Sequence, residues 1–168
     1  MKHTVILFLL LIGAGLQAQQ GFKIGLNGGI PIRQEVNDIV SLVAGADVGY
    51  HRALGEVVDA GIMTGFINGF PEKFDSGGAD LPHVQFIPLA ASFRIWPSNS
   101  FSLGGDAGYA FGLNDGNGGG FYYKPLVGYL MGARTELSLS YTGIATDGLS
   151  WSTVNLGVLY TFPDRWSR

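Results

Sequence analysis

Lys23, Asp47, His51, Asp59, Arg94, Asp106, Lys124 and Glu136 are the residues of this 168-residue chain best suited to chemistry. Carboxylates, an imidazole and cations gathered on one surface could relay protons, hold an ion or, with a nucleophile added, hydrolyse a substrate. A serine nucleophile needs a histidine base within hydrogen-bond reach. His3 lies in an N-terminal leader, His51 near one end of its segment, and His83 in a connection at the opposite end. Asp47 lies on the same side as His51 and could orient its ring, but no nucleophile signature accompanies the pair. The chain has no Cys, no His/Asp/Glu spacing suited to zinc, and only a fragment of a calcium loop in the run from Asn114 to Gly120. We therefore assign no catalytic, cofactor-binding or metal-ligating residue and expect no enzymatic activity. Four acids against three permanent cations is close to balance. That balance points to side chains that pair with one another in a poorly solvated interior, where an unpaired charge is costly.

The segments that carry these residues alternate with a period of two. Phe101, Leu103, Ala107, Tyr109, Phe111 and Leu113 fall on one side, and Ser102, Gly104, Asp106, Gly108, Ala110 and Gly112 on the other. Successive strand side chains point to opposite faces, so this is a strand with one apolar and one small or polar surface. The pattern recurs at 22–30, 41–51, 57–67, 84–96, 101–113, 121–131, 136–144 and 153–162, and no apolar-face position carries a charge. The predicted fold is all-β, an eight-stranded antiparallel up-and-down transmembrane β-barrel. Its polar face turns inward and presents the eight ionisable residues as a luminal network.

The connections are alternately long (31–40, 68–83, 114–120, 145–152) and short (52–56, 97–100, 132–135). Outer-membrane barrels alternate long extracellular loops with short periplasmic turns in this way, which would put both termini in the periplasm. Tyr50, Trp96, Phe101, Tyr160 and Phe162 would form one interfacial girdle, and Phe66, Phe111, Phe121 and Trp151 the other. Glycines four apart (Gly45/Gly49, Gly61/Gly65, Gly104/Gly108/Gly112, Gly128/Gly132) share the inward face and relieve crowding in a narrow barrel. Pro88 and Pro125 each remove a ladder donor from a closed wall, so a bulge or irregular pairing is expected beside each.

Composition agrees with a surface facing lipid. Only 14% of residues are charged, whereas soluble domains run near 25%, and glycine accounts for 27 positions. Ten Lys plus Arg against thirteen Asp plus Glu leave no basic patch for nucleic acid. Residues 1–18 read as a secretory signal, with Lys2, an apolar stretch from Val5 to Leu16 and a cleavage site after Ala18. The remaining domain, 19–168, begins at Gln19.

Val154, Leu156, Val158, Tyr160 and Phe162 alternate to an aromatic end, which resembles the C-terminal signal that outer-membrane proteins present to their insertion machinery. The departure is the tail from Pro163 to Arg168, where that pattern usually stops at the aromatic residue. With the stretch Gln85-Phe86-Ile87-Pro88-Leu89, the whole mature chain resembles the small OmpA/OmpX-like barrels of the "outer membrane protein beta-barrel domain" type, including PorT-like proteins. That resemblance implies the outer membrane of a Gram-negative bacterium, lipid and the insertion machinery as partners, and no single activity. The expected role is structural or interactive through extracellular loops, chiefly 68–83, where Phe70, Pro71, Phe74, Leu81 and Pro82 could contact an extracellular or envelope protein. The alternatives are a small transport or secretion-accessory component and, further off, a lipid-modifying enzyme.

Overall fold

The computed structural model describes residues 20–33, 36, 40–71, 83–114, 116–146 and 150–163. Eight strands follow in chain order: β1 (Gly21–Pro31), β2 (Val40–Ala53), β3 (Val58–Pro71), β4 (Val84–Ile95), β5 (Phe101–Gly112), β6 (Gly120–Met131), β7 (Thr135–Ala145) and β8 (Trp151–Pro163). Each pairs antiparallel with its sequence neighbours, and β1 closes on β8 to complete the barrel, with Phe22 opposite Phe162 and Pro31 opposite Thr153. Closure removes both sheet edges, so the wall supplies its own hydrogen-bond partners. The proposed cleavage site and the start at Gln19 lie outside the described residues.

The alternation read from the sequence is the alternation of the wall. Leu26, Ile62 and Leu156 are 69%, 63% and 62% exposed, while Lys23, His51 and Asp59 are fully buried. Exposed apolar side chains encircle the molecule on every strand, and buried polar ones line its interior. A water-soluble barrel has the reverse arrangement; this exterior suits hydrocarbon.

The interior has two compartments. At the end of the barrel bearing the short turns, and in its middle, lie all the buried charges, with Met63, Trp96, Leu126 and Leu159 among them. Towards the long connections no charge is buried among the described residues: Val43, Ile67, Phe86, Ala110, Ile144 and Trp151 form an apolar cluster with Val36, which the β1–β2 connection places fully buried in the barrel mouth, beside Asn68, Ser152 and Thr153. Phe86 and Trp151 meet edge to face at 5.5 Å. The sequence pattern did not reveal this apolar stopper.

Three expectations need correction. Strand β3 runs on to Pro71, so Phe70 and Pro71 belong to the wall, opposite Leu42 and Val40, rather than to a loop. Asn68-Gly69 is a turn dipeptide by composition. Here Asn68 bonds Gln85 across the ladder, and a Cβ at Gly69 would stand 2.5 Å from Cη2 of Trp151, so the glycine makes room for the stopper. Trp96 and Trp151 are buried and inward, and do not join the girdles. Tyr50, Phe101, Phe111, Phe121, Tyr160 and Phe162 do face outward near strand ends, and Phe66 faces outward further inside β3. Gly132 is not an inward partner of Gly128; it occupies the β6–β7 turn with φ near 80°, a conformation that favours glycine.

Both prolines disturb the ladder on one side only, without changing register. Between β3 and β4 the pairs jump from Thr64↔Leu89 to Ile67↔Phe86, and between β6 and β7 from Tyr123↔Gly143 to Leu126↔Ser140. On their other sides Pro88 pairs with Ala110, and Pro125 with Gly105. The described bulge lies elsewhere, in β2 between Val40 and Leu42.

Arginine at Leu103, Ala107, Leu139 or Leu156 is expected to cost about 2 to 4 kcal/mol of insertion free energy near the bilayer midplane, and less near its surfaces. Arginine at inward Ser102 or Ser140 should be electrostatically milder. Folding titrations into liposomes check this; the opposite order would mark a soluble barrel.

Candidate functional site in the charged lumen

Seven strands deliver the eight ionisable residues to one interior: Lys23 from β1, Asp47 and His51 from β2, Asp59 from β3, Arg94 from β4, Asp106 from β5, Lys124 from β6 and Glu136 from β7. Each is inward because it lies an even number of residues from another inward position on its strand. All except Asp47, which is partly buried, are buried.

Four of the seven permanent charges form two ion pairs, Glu136 and Asp59 accept from a hydroxyl and an indole, and Lys23 Nζ has no hydrogen-bond partner among the described residues. Arg94 Nη1 lies 3.1 Å from Asp106 Oδ1, which also accepts from Ser92 Oγ at 2.5 Å. Lys124 Nζ lies 2.7 Å from Asp47 Oδ2, and Asn27 Nδ2 donates to that same oxygen at 2.8 Å. Ser102 Oγ donates to Glu136 Oε1 at 2.6 Å, and the Trp96 indole donates to Asp59 Oδ2 at 2.8 Å. Lys23 sits in the field of Glu136 and, more weakly, of Asp59 and Asp106. By register Arg94 stands directly opposite Asp59 on β3 and two residue pairs from Ser92↔Asp106 on β5, yet its guanidinium bonds Asp106, while Asp59 accepts from the Trp96 indole.

Asp47 is committed to Lys124 and Asn27 rather than orienting His51. The two ring nitrogens of His51 have no hydrogen-bond partner among the described residues, and the charges that act on the ring most strongly are the cations Lys23 and Arg94, opposed by Asp106. A histidine in that setting has no acceptor to fix its tautomer and no hydroxyl to activate, so the pair raised by the sequence does not assemble. His83 is at the other end of the barrel, against Asn68 at 3.3 Å and the ring of Phe70. Among the described residues no group of three His, Cys, Asp or Glu side chains could hold a metal ion. Of the loop candidates, Phe74, Leu81 and Pro82 lie outside the described residues.

Asn27, Ser92, Ser102 and Trp96 take part in the network although none of them is marked as a member by the sequence, which points Trp96 to a girdle. The available signal was parity: each is an even number of residues from Lys23, Arg94 or Asp106. Glycines give the network its space. A Cβ on Gly104 would stand 2.8 Å from Cδ of Arg94, and one on Gly128 would collide with Ser102 Oγ and Glu136 Oε1. One cavity at the network, of about 20 Å³, is bordered by Asp47, Met63, Arg94, Asp106, Lys124 and Glu136. That is room for about one water molecule and not for a solute in transit.

A closed antiparallel barrel of eight strands, apolar outside and filled by charged pairs inside, belongs to the class of small transmembrane β-barrels. Comparison with solved structures agrees. The Yersinia pestis outer membrane protein Ail in a phospholipid bilayer nanodisc is similar at TM-score 0.60 and 15% identity over 86% of this chain and 100% of that one. The crystal structure of Ail, the attachment invasion locus protein of Yersinia pestis, is similar at TM-score 0.57 and 16% identity over 87% and 99%. A designed transmembrane β-barrel is similar at TM-score 0.54 and 12% identity over 87% and 98%. No protein-family model matches the sequence, and no curated protein matches it.

Removing one member of a buried pair leaves its partner uncompensated. Arg94→Ala is therefore expected to lower unfolding stability by about 3 to 5 kcal/mol. In a double-mutant cycle with Asp106→Ala, read by urea unfolding in lipid vesicles, the double variant should lose much less than the sum. Additive losses would show that the two charges are solvated separately. Gly128→Val should also destabilise, by displacing the Ser102–Glu136 bond; unchanged heat resistance on a gel would contradict the packing described here.

Proposed function

We propose that this chain is an outer-membrane protein of a Gram-negative bacterium whose barrel is a sealed, non-enzymatic platform and whose role, structural or interactive, is carried by its extracellular side. One observation carries this reading: the lumen is filled twice, by paired charges at the turn end and by the Phe86–Trp151 stopper at the loop end. A pore needs a continuous wet path, and two successive seals oppose one. A lipid-modifying enzyme needs a nucleophile beside its base, and His51 is held away from any hydroxyl partner in the described residues. Ail, which has the same fold, is named for attachment and invasion. That analogy is one of fold, and it favours the exposed loops over the lumen as the place for partner contacts. Membrane lipid and the insertion machinery, through the aromatic-ended β8, complete the expected partners.

Reconstituted wild-type protein in planar bilayers is expected to show no large, steady conductance, and Arg94→Ala at most a small leak. A large steady conductance from the wild type would overturn the sealed-platform reading in favour of transport.

A further inference from the structure

Pro125 lies midway along β6 with its ring on the outward face, and it has no N–H to donate. Two adjacent pairs are missing from the β6–β7 ladder, Lys124 with Thr142 and Pro125 with Tyr141, while the β5–β6 ladder continues through Asp106↔Lys124 and Gly105↔Pro125. Loss of a single bond, from residue 125 to the Tyr141 carbonyl, accounts for both missing pairs. In an antiparallel ladder that one bond helps to define two successive pairs. The β6–β7 seam is therefore weakened at one point, and the Tyr141 carbonyl lacks its ladder donor.

Over this point the outer surface has a shallow, open recess. The recess has a volume of about 470 Å³ and is walled by Leu103, Pro125, Val127, Leu139, Tyr141 and Val154. It exists because Gly105, opposite Pro125, contributes no outward side chain and the proline ring is short. Its rim is fixed: the Tyr141 hydroxyl donates to Ser152 Oγ at 2.9 Å, and the Tyr141 ring lies 5.8 Å from that of Tyr123. At the β3–β4 seam the situation differs, since Pro88 is buried on the inward face and Thr64 Oγ1 bridges the strands by donating to the Pro88 carbonyl at 2.8 Å.

We propose that the recess over the β6–β7 seam seats one acyl chain of a membrane lipid. The recess opens onto the apolar belt at mid-strand, its side-chain walls carry no charge, and what meets that surface in a bilayer is hydrocarbon. A flexible chain settles into a shallow, open apolar depression, whereas the convex wall of a second barrel meets its rim first. The inference rests on the membrane orientation given above, and it adds a defined lipid position on an otherwise uniform exterior.

The full-length mature chain, reconstituted into vesicles of phosphatidylethanolamine and phosphatidylglycerol doped with phosphatidylethanolamine bearing a mid-chain diazirine, provides the test. After irradiation, adducts mapped by mass spectrometry should be several-fold enriched on Val127, Leu139 and Tyr141 relative to Leu26 and Leu156. Val154→Trp, which fills the recess from its far wall, should abolish the enrichment while the barrel keeps its heat-resistant band. Leu139→Trp, filling it from another strand, should do the same. Labelling spread evenly around the belt, enrichment that survives both tryptophan variants in folded barrels, or protein–protein crosslinks at these residues in place of lipid adducts would overturn the proposal. Lipid adducts absent from Leu26 and Leu156 as well would overturn the membrane orientation itself.

Discussion

The constraint on which the rest of this structure depends is that hydrocarbon offers no hydrogen bonds. An unsatisfied backbone group there costs several kcal/mol, so a spanning sheet must close on itself. The β1–β8 pairing meets that demand through an unbroken register from Gly21↔Pro163 to Pro31↔Thr153. Closure then dictates the side chains. One parity of each strand must suit lipid, and the other must fill a tube too narrow for large residues at every position. Alternating glycines with Lys, Arg, Asp and Glu is one solution, because the glycines open space that the long side chains occupy.

The charged interior follows from the same geometry. Burying these groups singly would be prohibitive, and burying them together is tolerable only with partners on other strands. Lys124 of β6 reaches Asp47 of β2 across the lumen, and Ser102 of β5 reaches Glu136 of β7. Such contacts tie non-adjacent strands together, which the ladder alone does not do. The apolar stopper has a different logic. Near the long connections the lumen is filled by Phe86, Ile144 and Trp151, and Val36 enters from the β1–β2 connection to complete the seal.

Much of this was legible in the sequence because a barrel wall is a local pattern. The outward set from Phe101 to Phe111 follows from two-residue parity alone. The same rule also placed the eight ionisable residues inside without knowledge of which strands are neighbours. Where the reading departed from parity, it erred. Trp96 is two residues from Arg94, and Trp151 shares the parity of inward Thr153 and Asn155, so parity points both inward, whereas the preference of tryptophan for membrane surfaces points both outward. Phe70 and Pro71 fall in the 68–83 connection by pattern, and only contact with Trp151, far away in the chain, explains a glycine at 69 in a continuing strand. The partner of each charge was not legible at all. Register alone puts Arg94 opposite Asp59, and its pairing with Asp106 depends on how the side chains pack inside the closed lumen.

The chain contains no cysteine, so a single introduced thiol reports its own surroundings. The most direct test of an apolar exterior around a sealed lumen is to compare Leu156→Cys with Ser140→Cys in folded, vesicle-embedded protein, using a membrane-impermeant charged maleimide and a lipid-soluble one. The account predicts that Leu156→Cys reacts only with the lipid-soluble reagent and that Ser140→Cys reacts with neither until the barrel is unfolded. Rapid reaction of Ser140→Cys with the charged reagent in the folded barrel would contradict it.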